Sequence, residues 1–402
     1  MEREALYRKI STENDNKIVM IILDGLGGLP LNQKTELETA TKPNLNQLAT
    51  ESELGLTMPI SMGITPGSGP AHLALFGYDP LDYSIGRGIL EALGIGIKVG
   101  ENDIAIRGNF ATQENGIIID RRAGRISTKK NQEIIAHLDK KINRIEDVEI
   151  KLYAGEEHRF VLLIRGGGLS DDVTDADPEI TGKPILYAKA KSPQAERTAT
   201  ILNKFIIRVT EELSGQSPAN TCLLRGTAKY PAIPSMNELF RLKAAAIASY
   251  PMYRGLAQLV GMDILDTGPA IRDEIDTLGQ HFDRYNFFFI HIKKTDSYGE
   301  DGAFAKKVKT IEEFDKLLPD ILKLNPQTLV ITGDHSTPST MKSHSWHPNP
   351  FLIKSPYTRM NPGKPKIFCE TTCASGILGR FHSIDILPLS MGHALKFKKY
   401  GA

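Results

Sequence analysis

Two wholly apolar runs, each stopping at an aspartate and a sharp turn, constrain this chain more than any other feature. Lys17-Ile-Val-Met-Ile-Ile-Leu23 passes into Asp24 and the turn Gly25-Leu26-Gly27-Gly28. Thr328-Leu-Val-Ile-Thr-Gly333 passes into Asp334-His335. Runs that are apolar throughout, rather than at every second position, read as strands buried on both faces of a parallel sheet. Carboxylates just past the carboxyl ends of such strands lie where open α/β sheets place their ligands. Two of them, each beside a turn, point to a divalent metal rather than a fold-stabilising ion pair.

The rest of the chain alternates in the same way, with one interruption. Residues 17–80 contain the first strand, a helix near Pro43–Thr50 and the loop bearing Ser68. From about Ser84 the pattern becomes β-rich and short, at 94–97, 109–112, 116–119 and 160–164. Residues 166–183, rich in Gly, Asp and Pro, read as a long loop. A helix at 194–213 and a strand at 222–225 complete the segment. After Met236 helix and buried strand alternate again. Residues 239–260 read as a helix broken at Pro251, followed by a strand at Phe287–Ile292, a helix at 303–324 and a strand at Thr328–Thr332. The expected architecture is α/β, a mostly parallel sheet flanked by helices and built from 17–84 and 236–402. Residues 85–235 form an inserted α+β cap domain, and 1–16 a flexible extension.

Composition narrows the function. At 402 residues the chain exceeds what one core holds, which agrees with two domains. A net charge of +1 argues against broad capture of nucleic acid or an anionic membrane. Cys222, Cys369 and Cys373 make no disulfide framework. The spacing of the last two, without a second pair, argues against a zinc knuckle. A reducing, cytoplasmic setting fits. No run approaches the roughly 18 apolar residues of a membrane span, and the mixed-charge start is unlike a secretory signal.

The chemistry-bearing residues come in clusters. Ser68 stands between glycines in Thr-Pro-Gly-Ser68-Gly-Pro-Ala-His-Leu, entering an apolar helical segment. Its hydroxyl is either a helix N-cap or a nucleophile that needs a base or metal to activate it. Asp296 and Glu300 are spaced i, i+4, so one helical turn presents both to a shared ion. His335, His344 and His347 add nitrogen donors. Such mixed oxygen and nitrogen sets suit Mn²⁺, Mg²⁺, Zn²⁺ or Co²⁺ without choosing among them. Paired ions about 3.5–4 Å apart clamp both oxygens of an in-line displacement.

Four segments together carry a resemblance: Ile-Ile-Leu-Asp24-Gly-Leu-Gly, Gly-Ser68-Gly-Pro-Ala-His-Leu-Ala-Leu-Phe-Gly-Tyr-Asp-Pro, Asp120-Arg-Arg-Ala-Gly-Arg125-Ile-Ser and Thr-Gly-Asp334-His335-Ser-Thr-Pro. From about Lys17 to the end the chain resembles the archaeal-type, cofactor-independent phosphoglycerate mutases of the alkaline-phosphatase superfamily. The resemblance implies an alkaline-phosphatase-like fold, two divalent ions and a phosphoglycerate substrate, with no 2,3-bisphosphoglycerate. Ser68 would take the phosphoryl group, with Asp24, Ser68, Asp334 and His335 around one ion and Asp296, Glu300 and His344 around the other. Three departures stand out. Glu300 occupies a histidine position, which shifts preference toward Mn²⁺ or Mg²⁺. His347 replaces a smaller polar residue, and Ser68-Gly69 replaces a Ser-Asp pair of some members.

Arg121, Arg122 and Arg125 have the chemistry for a bidentate grip on carboxylate and phosphate. Asp120 is the acid/base candidate beside them. Lys243, placed on the 239–260 helix, is a candidate to neutralise phosphate oxygens, and His158 and Arg225 are further substrate-binding candidates. The insert suits a cap that closes over the site to exclude water. A phosphatase or another phosphomutase of the superfamily would use the same metals and nucleophile. A sulfatase would carry arginine where His72 stands.

Overall fold

The computed structural model describes residues 2–83, 85–100, 102–359 and 366–401. The chain divides into two compact units, Met1–Ser84 with Ile233–Ala402, and Ile85–Ala232. Among the described residues no helix is long and apolar enough to cross a membrane.

The first unit is built on an eight-stranded sheet. Its central strands are Ala244–Ala248, Phe287–Ile292, Ile18–Leu23 and Thr328–Thr332, side by side and parallel. Asp263–Leu265 adds a parallel strand at one edge. On the other side Asn349–Lys354 runs antiparallel, followed by Glu53–Met58 and Gly379–His382. All six residues of Ile18–Leu23 are buried, as a strand covered on both faces requires. The register sets Ile22 beside both His291 and Thr332, so three neighbouring strands end level. The long helix Phe304–Lys323 packs Val308, Ile311, Phe314, Leu318 and Ile321 against Val19 and Ile21. Pro319 inside it frees the carbonyl of Asp315, which accepts from Asn44 Nδ2 at 3.0 Å.

Two expectations are corrected in this unit. Residues 239–260 are not one broken helix. A helix at Met236–Phe240 stops at Arg241 in the left-handed conformation, and the Lys243-Ala-Ala-Ala-Ile-Ala run becomes a strand before a second helix, Pro251–Leu259. Alanine favours helix in isolation, but a five-residue, fully buried slot between two strands overrides that preference. Residues 2–16 are not a flexible extension. Glu2–Ile10 is a helix whose Tyr7 is buried against Phe240 and Phe397, and Lys396 Nζ donates to the carbonyl and side chain of Asn14.

The second unit is α+β. Its central strand, Asp103–Glu114, pairs antiparallel with Arg159–Arg165 and Thr221–Lys229, and near its end with Ile117–Asp120. Val148–Ala154 extends the sheet beyond Arg159–Arg165. Helices Thr128–Lys141 and Glu196–Glu212 pack Ile134, Leu138, Phe205 and Val209 onto it. The 94–97 segment is not β-rich: it closes the helix Arg87–Gly94.

Candidate metal centre and anion cleft

Because the three central strands end level, the residues just after them meet. Asp24, Asp334 and His335 converge: His335 Nε2 lies 3.5 Å from Asp24 Oδ1 and 3.2 Å from Asp334 Oδ2. All three side chains are fully buried, and those two carboxylate oxygens have no hydrogen-bond partner. A buried carboxylate oxygen without a partner is costly unless a cation fills the gap. Ser68 is the first residue of the helix Ser68–Leu75, with Gly67 as its cap and no side-chain capping bond. The N-cap alternative therefore fails, and Ser68 Oγ instead points to His335 Nε2 at 3.4 Å.

A second set adjoins the first. Asp296 Oδ1 lies 3.7 Å from His344 Nε2, which is also 3.7 Å from Glu300 Oε1. Asp296 and Glu300 share the short helix Lys294–Glu300, but Glu300 stands at the exposed rim, outside the tight Asp296, His335 and His344 group. His335 could serve either set. Thr337 decides: its hydroxyl gives its one proton to Asp296 Oδ1 at 2.6 Å, so at 3.0 Å from His335 Nδ1 it accepts, which places the ring proton on Nδ1 and leaves the Nε2 lone pair facing Asp24 and Asp334. The carbonyl of Pro66 holds His344 Nδ1 at 3.1 Å in the same manner, freeing its Nε2. His347 is turned to Ser345 Oγ, 3.1 Å away. Gly25, at φ +63°, admits no side chain, since a Cβ there would fall 2.5 Å from Thr337 Oγ1.

Several residues that build this centre went unnoticed in the sequence. Lys293 Nζ bridges Asp24 Oδ2 at 3.0 Å and Asp296 Oδ2 at 2.5 Å. Tyr253 donates its hydroxyl to Asp24 Oδ2 at 2.6 Å, and its ring stacks on His291 at 3.5 Å. His72 Nδ1 donates to the carbonyl of Ser68 at 2.8 Å, bracing the start of that helix. Lys307, fully buried, donates to the carbonyls of Gly25 and Thr337 at 2.8 Å each, tying the two metal-bearing loops together. Only Lys293 had a readable signal, its place at the end of a buried strand. Burial raises the Asp24 carboxyl, yet Lys293, His291 and His335 outweigh it and hold Asp24 well below the usual range. Burial and the charge on Asp24 push Asp334 well above it. Without a cation one of the pair keeps its proton. Burial also takes His335 down to about 3, so its ring is neutral and able to ligate.

The second unit holds a cleft of about 180 Å³ walled by Arg107, Arg121, Arg122, Arg125, Arg159 and Arg225, with His158, Asn109 and Glu157. All the substrate-binding candidates of this segment are therefore together. Arg121 forms a two-bond pair with buried Asp177, at 2.9 and 2.7 Å, and Arg225 lies 3.5 Å from the same carboxylate. Burial, then Arg159, lowers His158 to about 4 and keeps it neutral. Asp120 does not line the cleft. Its two oxygens accept the backbone N–H groups of Arg122 and Gly124, at 2.8 and 2.6 Å, and shape the turn that carries the arginines.

Lys243 is a correction. It is exposed at the amino end of the Ala244–Ala248 strand, whereas the metal centre lies at the carboxyl ends, and its Nζ sits over the Tyr285 ring. The helix it was assigned to does not exist, so its placement near phosphate fails with it.

The family model described as 2,3-bisphosphoglycerate-independent phosphoglycerate mutase matches residues 49–220. A Thermotoga neapolitana protein named a probable 2,3-bisphosphoglycerate-independent phosphoglycerate mutase is 52% identical over 402 residues, the whole of both chains. The chain belongs to this family. A Thermus thermophilus relative of the same name is 50% identical over 408 residues, again across both whole chains. The structure of a Pyrococcus horikoshii protein superposes with a TM-score of 0.81 at 30% identity, covering 97% of this chain and 100% of that one. A cofactor-independent phosphoglycerate mutase from Thermoplasma acidophilum gives 0.75 at 31%, covering 94% and 100%. The α/β fold with its mostly parallel sheet is thus the mutase fold. The family is metal-dependent, and two adjoining carboxylate and imidazole sets in this chain, one with unpartnered buried oxygens, fit two divalent ions.

Proposed function

We propose that this enzyme interconverts 3-phosphoglycerate and 2-phosphoglycerate by passing the phosphoryl group through Ser68, without 2,3-bisphosphoglycerate. The convergence of Asp24, Asp334 and His335 beside the Ser68 hydroxyl, with two buried carboxylate oxygens left unpartnered, carries the reading. Divalent ions held by Asp24, Ser68, Asp334 and His335, and by Asp296, Glu300 and His344, would supply Lewis-acid charge that favours the serine alkoxide and neutralises phosphate oxygens. Mn²⁺ suits these donors best, with Mg²⁺, Co²⁺ and Zn²⁺ as competitors, since carboxylate at Glu300 is a harder ligand than imidazole.

The chain's own residues do the rest. Ser68 Oγ attacks phosphorus in line with the C3 oxygen of the glycerate. The bond to that oxygen breaks as the bond to serine forms, and the leaving oxygen takes a proton. The glycerate turns, its C2 hydroxyl loses a proton and attacks the phosphoserine, and Ser68 is released. Lys293 holds a fixed positive charge between Asp24 and Asp296, suited to transferring phosphate oxygens. Six arginines against one glutamate on the cleft walls suit a substrate carrying both carboxylate and phosphate. Asp120 remains the acid/base candidate by its place on the turn that carries Arg121, Arg122 and Arg125, where its oxygens accept the N–H groups of Arg122 and Gly124. Water must be excluded while the phosphoserine lives, since hydrolysis competes. Three free, buried cysteines suit a reducing, cytoplasmic setting.

The test is conversion of 3-phosphoglycerate with Mn²⁺ and no 2,3-bisphosphoglycerate, with released phosphate followed in parallel. Metal-dependent isomerisation that is lost in Ser68→Ala, a fall of at least about a thousandfold, supports the reading. Phosphate release without isomerisation would make the protein a phosphatase.

A further inference from the structure

We propose that Thr337 is a positioning residue that couples the two metal sites, so that filling one prepares the other. The inference rests on the two-metal reading above. Thr337 is buried and belongs to neither ligand set. Its Oγ1 lies 2.6 Å from Asp296 Oδ1 and 3.0 Å from His335 Nδ1, so one hydroxyl touches a ligand of each set.

The backbone fixes that hydroxyl in place. The Thr337 N–H reaches the carbonyls of Gly25 and Gly27, at 3.2 and 3.1 Å, and its own carbonyl accepts from Lys307 Nζ at 2.8 Å. Gly25 lies close beside the hydroxyl, since even a methyl group there would fall 2.5 Å from Oγ1. A hydroxyl has one proton, and an ionised carboxylate only accepts. The proton therefore goes to Asp296 Oδ1, and the oxygen accepts from His335 Nδ1–H. The chain Nδ1–H to Oγ1–H to Oδ1 has one direction.

The direction makes the coupling positive. Were His335 Nε2 to hold an ion, the ring would be fixed and its Nδ1–H would become a stronger donor. That N–H fixes the hydroxyl rotor, and the hydroxyl holds Asp296 in the orientation its own ion needs. Filling the Asp296 site fixes the same chain from the other end, as reciprocity of coupled binding requires. Repulsion between the two ions opposes this, but it does not depend on the hydroxyl. It therefore cancels when threonine is compared with valine.

Mn²⁺ binding to the full-length protein, followed by electron paramagnetic resonance and calorimetry, tests the proposal. The first site is titrated in four proteins: wild type, His344→Ala to empty the second site, Thr337→Val, and the double variant. His344→Ala is expected to weaken first-site binding at least about fivefold more in the threonine background than in the valine background. Thr337→Ser, which keeps the hydroxyl, is expected to behave as wild type. An equal effect of His344→Ala in both backgrounds overturns the coupling while leaving the two-metal reading intact. Fewer than two Mn²⁺ ions on the wild type overturns the two-metal reading and the proposal with it. Should Thr337→Val not fold, the comparison runs between Thr337→Ser and Thr337→Ala, with the same deciding result.

Discussion

Removing one hydroxyl, in Tyr253→Phe, tests whether the residues behind the metal ligands tune the site. The Tyr253 hydroxyl donates to Asp24 Oδ2 at 2.6 Å, while Asp24 Oδ1 is the oxygen left bare for an ion. A hydrogen bond to a buried charged group contributes about 1.5–3 kcal/mol. Here Lys293 Nζ at 3.0 Å and His291 Nε2 at 3.3 Å remain beside the same oxygen, so the loss falls at the lower end. About 1.5 kcal/mol corresponds to roughly tenfold weaker metal binding. The ring stays stacked on His291 at 3.5 Å, so the fold is retained. Mn²⁺ titration at fixed pH reads the effect directly. Binding within twofold of wild type would refute the argument that the second oxygen of Asp24 needs this donor.

Two further predictions follow from buried charge. Asp177→Asn breaks the two-bond pair with Arg121 and frees Arg225 as well. Removing one partner of such a pair costs about 3 kcal/mol, the lower end because Arg121 is a quarter exposed, so chemical denaturation should detect it along with a raised KM for phosphoglycerate. Glu274 is pushed up to about 8, chiefly by burial, with Ser249 Oγ at 3.3 Å as a bond that opposes the shift. A carboxyl raised in the folded state stabilises fully below its ordinary value near 4.5, and that stability is lost as pH rises toward 8. Glu274→Gln should flatten the decline, by an amount on the order of a few kcal/mol, in unfolding midpoints measured from pH 5 to 9. An unchanged pH slope would contradict the burial argument.

Much of the fold was legible because its central strands are buried on both faces. Ile18–Leu23, Phe287–Ile292 and Thr328–Thr332 read as continuous apolar runs and are strands at those positions. The Ala244–Ala248 strand was not legible, because alanine carries a helical preference and only the neighbouring strands make a five-residue slot for it. Glu2–Ile10 failed for a related reason: its charged, weakly patterned sequence gives no sign of the Phe240 and Phe397 surface against which Tyr7 packs.

By itself the sequence determined the candidate residues of the site, Ser68, Asp24, Asp334, His335, Asp296 and His344, and the strand ends that present most of them. Those residues lie beside turns and motifs whose local pattern survives without a partner. The tertiary structure alone decided which atoms meet. Tyr253 reaches Asp24, Lys307 ties Gly25 to Thr337, and Thr337 stands between His335 and Asp296, all through single hydrogen bonds between segments far apart in the chain. A tyrosine, a lysine or a threonine carries no local sign of such a contact. Its meaning comes from the register of parallel strands, which brings their carboxyl ends level and leaves Lys243 at the opposite edge.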